Sequence, residues 1–171
     1  CALADAVPMS RVSPGVYSAG LEIPVFEVEL LASARDRIAE TFGAAQARPI
    51  VVFWGQQSWL ARFNLNVTAG AHFLGFRSCV LIGPNGRSTD VVAHELMHAE
   101  IFERIGPWAR LTRLPVWFDE GLAMQVDQID LGARQGRAKR VAIGGCLGLA
   151  DADALLPGLL VQVSAQRMVC I

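Results

Sequence analysis

Histidine is scarce in this chain, with three in 171 residues, and tyrosine scarcer still, with Tyr17 alone. No apolar run approaches the roughly 18 residues of a membrane span. The longest, around 141–149 and 154–161, are broken by Gly and Pro. A net charge of −1 leaves no basic footprint, so nucleic acid is not an expected partner. No Cys-x-x-Cys pair occurs, which disfavours a zinc ribbon. No repeat and no low-complexity linker marks a boundary, so residues 1–171 are expected to form one domain with its own core.

What is present is apolar. Hydrophobic residues make up 53% of the chain and mean hydropathy is +0.37. That composition excludes disorder and suggests a hydrophobic surface for a protein partner. Cys1, Cys79, Cys146 and Cys170 are even in number and fit two disulfides in any of three connectivities. Disulfides would place the protein outside the cytoplasm, periplasmic or secreted, whereas four buried thiols would not. The chain begins with Cys1 rather than Met and so reads as processed or cut. A mature lipoprotein also begins with Cys, which makes a lipid anchor through Cys1 a further expectation. The basic cluster Arg134, Arg137, Lys139 and Arg140 reads as a solvated loop.

Periodicity gives a coarse order of elements. Residues 16–28, with Pro24, read as an edge strand. Leu31, Ala34, Ile38 and Phe42 recur at helical spacing over 27–42, and Gly43 closes the helix. Residues 49–54, PIVVFW, read as a buried strand. A short helix is expected at 57–63, a loop at 64–72 and a second strand at 73–82. Pro84-Asn85-Gly86 is a turn signal, and Ser88 offers a cap for a helix that runs to Ile105 and ends at Gly106-Pro107. After a loop at 106–113, Pro115 opens a helix through Val126. A polar loop is expected at 127–140, and Val163–Ile171 reads as the start of a helix that the chain end cuts short.

Two of the three histidines fall within HELMH, residues 94–98, inside the helix that follows Ser88. At that spacing they lie about 40° apart around the axis and about 6 Å along it, so both imidazoles reach one metal ion. Glu95 falls beside the ion rather than on it, where a carboxylate takes a proton from water activated by the metal. Core packing of two hydrogen-bonded histidines is the competing account. A catalytic zinc site needs a third protein ligand. Candidates are His72 upstream and Glu100, Glu103, Asp119, Glu120, Asp127 and Asp130 downstream, with Glu100 and Glu103 rotated away from the pair. Glu120 stands in LPVWFDEGLA, residues 114–123, on the next helix, which can fold back across the first.

HELMH followed, 22 positions after its second His, by WFDEGLA resembles the gluzincin zinc metallopeptidases, in particular the peptidase MA-like group. The resemblance implies that His94, His98 and Glu120 bind one Zn2+ and that Glu95 is the catalytic general base and proton shuttle. It implies an α+β fold of the zincin-like kind: a small twisted mixed sheet packed on the HExxH helix and a following ligand-bearing helix. It also implies that the strand just before the helix, about 73–82, is the edge along which an extended peptide lies. The motif-bearing match covers roughly residues 73–126.

Two features depart from the family. Where some gluzincins place an Asp four residues after the ligand Glu to orient a histidine, this chain has Met124. Asp127 and Asp90 are the candidates for that supporting role. The Tyr or His that commonly stabilises the oxyanion is absent downstream of Glu120, and His72 is the candidate contact for substrate or oxyanion. The expected function is a zinc-dependent peptidase acting on a peptide or protein substrate. The alternatives are a non-catalytic zinc-binding domain with a scaffold or regulatory role, and a metal-free structural domain.

Overall fold

The computed structural model describes residues 9–20, 25–55, 67–74 and 76–127. These form an α+β unit of one five-stranded mixed sheet and three helices. In chain order they are β1 (Ser10–Ser13), β2 (Val16–Ala19), α1 (Val25–Phe42), β3 (Ile50–Trp54), β4 (Ala69–Leu74), β5 (Arg77–Ile82), α2 (Thr89–Thr112) and α3 (Val116–Val126). The sheet order is β1-β2-β3-β5-β4, parallel at β2/β3 and β3/β5 and antiparallel at both ends. The helix expected at 57–63, the basic cluster, the loop beyond Asp127 and the segment Val163–Ile171 lie outside the described residues.

Alternation along the strands divides the core in two. Val16, Val51, Phe53, Val80 and Ile82 face the helices. They meet Leu31, Ala34, Ile38 and Phe42 of α1, which all lie on one stripe of that helix. Val92, Leu96 and Met97 of α2 and Phe118, Leu122 and Val126 of α3 close the same core. Each large side chain buried here contributes about 1.5–3 kcal/mol of apolar transfer. Ala19, Val52, Trp54, Cys79 and Leu81 form a smaller cluster on the opposite face. Cys79 is disulfide-bonded. No helix of the described residues is long and apolar enough to cross a membrane.

Three boundaries differ from the sequence reading. The stretch 16–28 is not one strand: β2 stops at Ala19, and α1 already starts at Val25. The segment 73–82 is the end of one strand, a two-residue connection and another strand. Leu74 pairs with Arg77, so β4 and β5 form an antiparallel hairpin. The expected loop at 64–72 therefore contains most of β4. Gly75 and the polar pair Arg77-Ser78 interrupt FLGFRSCVLI, and they are the signals that separate the two strands. As a result, the strand just before the HExxH helix, β5, is internal, and the edge belongs to β4.

The third difference follows Gly106, which has φ 79° and ψ 162° and breaks the helical path. The chain does not then loop freely to 113. It resumes helix through Thr112, and the N–H groups of Arg113 and Leu114 close on the Ala109 carbonyl. Pro107 fits because it opens this second segment, where its absent N–H has no partner to lose.

Candidate metal centre

The HELMH helix is fixed at its start and along its length. The Ser88 hydroxyl accepts from the Val91 N–H, as a helix cap should. Arg37 of α1 pairs with Asp90. Two residues beyond the motif, Glu100 is buried and accepts hydrogen bonds from the N–H groups of Gln46 (2.9 and 3.0 Å) and Ala47 (2.8 Å) and from Arg104 Nε (2.7 Å). Glu100 thus ties α2 to the connection between α1 and β3.

On this helix His94 and His98 turn their Nε2 atoms to within 3.3 Å of each other. Glu120, carried by α3, brings Oε2 to 3.4 Å from His94 Nε2 and Oε1 to 3.7 Å from His98 Nε2. Three donors at the corners of a tetrahedron with metal–ligand bonds of 2.0–2.1 Å would stand about 3.3–3.4 Å apart. The His94–His98 edge matches this, and the two Glu120 distances run to different carboxylate oxygens; with one ligand atom from each residue all lie within 4.8 Å, so the group could hold a metal ion.

The far side of each imidazole is also occupied. His94 Nδ1 donates to Asp127 Oδ2 at 2.7 Å, and His98 Nδ1 donates to Asp119 Oδ1 at 3.0 Å. An ionised carboxylate only accepts, so both rings carry their proton on Nδ1 when neutral. Both Nε2 lone pairs then face one another, with the Glu120 carboxylate beside them. That concentration of negative potential favours a cation, either a proton or a metal, placed between them. Burial pulls the His94 pKa down, but the Asp127 hydrogen bond and the charges of Glu95, Asp127 and Glu120 outweigh it and raise it above the usual value.

Glu95 lies on the open side of this group. With His94, His98, Glu120, Arg110, Gly70, Ala71 and Phe73 it lines an open pocket of about 290 Å³. Burial pushes its carboxyl above the ordinary range. The neighbouring histidines and a backbone hydrogen bond from Ala71 draw it partly back, while Glu120 adds to the rise. Ala71 belongs to β4, so the candidate base is in direct contact with the edge strand.

Arg110 reaches this wall because of the break at Gly106. Its Nη2 donates to Asp119 Oδ2 at 2.5 Å, and its guanidinium carbon sits 3.8 Å from the centre of the Phe73 ring. Asp119 therefore joins His98 to Arg110. Sequence reasoning weighed Asp119 as a ligand and did not single out Arg110. The available signal was the Asp adjoining Glu120, but nothing in the sequence shows that the helix resumes after Gly106.

The remaining candidates fall elsewhere. His72 is exposed on β4 opposite Cys79, on the sheet face away from Ala71 and Phe73, and does not line the pocket. The period-two alternation of the strand places it there. The Asp90 carboxylate meets Arg37, and of the two supporting candidates it is Asp127 that reaches His94. Compared with protein-family models, curated proteins and solved structures, the chain finds no match in any of the three.

Proposed function

We propose that this protein is a zinc-dependent peptidase of zincin-like build. The reading rests on one observation: the ligand atoms of His94, His98 and Glu120 converge to within 4.8 Å of one another, with Glu95 beside them on the same pocket. Two imidazoles and a carboxylate suit zinc and leave a fourth position open. When bound, zinc polarises a carbonyl and lowers the pKa of its water to about 7.

Each neighbouring residue then has a task. Glu95 takes a proton from the attacking water and returns it to the leaving amine, and burial raises its carboxyl above the ordinary range, which strengthens it as a base. Asp127 and Asp119 hold the two imidazoles in the tautomer that leaves Nε2 free. The edge of β4 offers backbone N–H and C=O groups to an extended peptide. Arg110 supplies a permanently charged donor on the pocket wall, where the chain has neither the Tyr nor the His of the gluzincin pattern. The cysteine count and the disulfide at Cys79 support an extracytoplasmic setting.

The test begins with elemental analysis of the wild type beside His94→Ala. About one zinc per wild-type chain and almost none in the variant are expected. Glu95→Gln should then retain zinc and lose cleavage of unfolded protein. If zinc added back does not survive dialysis in the wild type, HELMH is core packing and the proposal fails. If zinc binds but no unfolded protein or peptide library is cut, the domain is a non-catalytic zinc-binding scaffold.

A further inference from the structure

The end of α2 and the start of α3 carry large apolar side chains into solvent. Trp108 is 73% exposed, Leu111 81% and Val116 75%, and Trp117 is half-exposed. Trp108 and Leu111 stand three apart on the helical segment after Gly106 and so share one face. Val116 and Trp117 open α3 a few residues on. The contact of Arg110 with Phe73 draws the β4–β5 hairpin to the same end of the molecule, and the hairpin connection carries Phe76, 87% exposed.

No Asp or Glu occurs from residue 104 to 118. Of the three Arg in that stretch, Arg104 pairs with Glu100 and Arg110 with Asp119, which leaves Arg113 as its free cation among the described residues, and Glu120 beyond it is half-exposed. Arg113 is exposed beside Leu111, and Arg77 is exposed beside Phe76. Neither has an ion-pair partner among the described residues. Side chains more than 70% exposed stand clear of the surface, which suits insertion into a deformable medium better than a flat protein interface. Exposed Trp with aliphatic neighbours and flanking Arg is the composition that settles at a lipid headgroup boundary.

We infer that the corner formed by Trp108, Leu111, Arg113, Val116 and Trp117 docks on an anionic bilayer surface. The consequence for the pocket is direct. Glu120, which lines it, follows Trp117 by three and so shares its face of α3. Docking would hold the pocket at the headgroup boundary and confine it to membrane-proximal chains. The inference concerns binding alone and stands whether or not the site cleaves peptides.

The experiment is sedimentation of the full chain with vesicles, with and without zinc. One set is phosphatidylcholine, the other phosphatidylcholine mixed with phosphatidylglycerol. The wild type is expected to pellet with the anionic set and to be released by salt. Trp108→Ser with Leu111→Ser should weaken binding more than tenfold. Arg113→Ser, which leaves the apolar core untouched, should weaken it about fivefold. Unchanged melting would show that the variants fold. Three results would overturn the inference: no binding to anionic vesicles, equal binding by the double variant, or a soluble dimer that the double variant turns into monomer. The last would make the corner an interface between copies.

Discussion

His94 Nδ1 lies 2.7 Å from Oδ2 of Asp127, the residue at which α3 ends. Asp127 leaves the helix in extended conformation, φ −77° and ψ 128°, and is buried. Asp127 is seven residues past Glu120, not four. A carboxylate at the end of the helix, rather than one turn along it, thus supports the first histidine.

That placement predicts the effect of removing it. Asp127→Ala should keep the fold, since the main core does not use this residue, and should weaken zinc binding about 10–100-fold. Asp119→Ala should do the same through His98 and should also release Arg110. Competition with a chromophoric chelator measures both. Affinity within twofold of the wild type in either variant would mean that the imidazoles are positioned by helix packing alone.

The metal-free and zinc-loaded proteins should respond to pH in opposite directions. In the metal-free protein the His94 pKa is raised, with the Asp127 hydrogen bond and nearby carboxylates overcoming burial. A raised folded value means stability that is full below the unfolded pKa of about 6.5 and is lost as pH climbs through the folded one. Zinc must displace the same proton, so its affinity should fall as pH drops, beginning above about 6.5. Melting of wild type minus His94→Gln, followed from about pH 5 to 8 with and without zinc, reads both trends. A wild-type advantage in the metal-free protein that grows with pH would contradict the assignment.

Glu100 shows what the sequence could and could not convey about this site. Helical rotation separated it from the histidine pair, which agrees with its place in the structure. Its role as acceptor for Gln46, Ala47 and Arg104 depends on where the chain leaves α1, more than fifty residues away in sequence. Local spacing carries information about His94, His98 and Glu95 because one helix holds all three. It carries none about pairs that only tertiary packing creates, such as Arg110 with Asp119 or His94 with Asp127. The β4–β5 hairpin was legible in part: Gly75 and the polar pair Arg77-Ser78 interrupt the run, but the strand formers on both sides of them also read as one strand.

Glu100→Ala tests the buried anchor. Removing the carboxylate leaves two backbone N–H groups and the Arg104 guanidinium without their acceptor. The expected cost is about 3–5 kcal/mol in urea unfolding, at unchanged zinc stoichiometry if the protein remains folded. Glu100→Gln with Arg104→Met should recover part of the loss, because the buried charge goes with its partner. A single-variant cost below about 1 kcal/mol would show that water replaces the lost bonds.

Gly106 is the last residue whose conformation decides the site. Its φ of 79° with ψ of 162° is a region that side chains avoid, yet a Cβ built there meets nothing within 4 Å. The penalty of Gly106→Ala is therefore conformational rather than steric, about 1–3 kcal/mol. The chain can relieve it by continuing the helix straight through, which would carry the segment from Pro107 to Thr112 away from the pocket. Arg110 would then leave Asp119 and Phe73. The variant should bind zinc more weakly, lose stability by the stated amount and show altered near-ultraviolet circular dichroism from Trp108 and Trp117. Loss of stability with zinc affinity and aromatic signal both unchanged would mean that the bend is held by packing elsewhere, and that Arg110 keeps its place without the glycine.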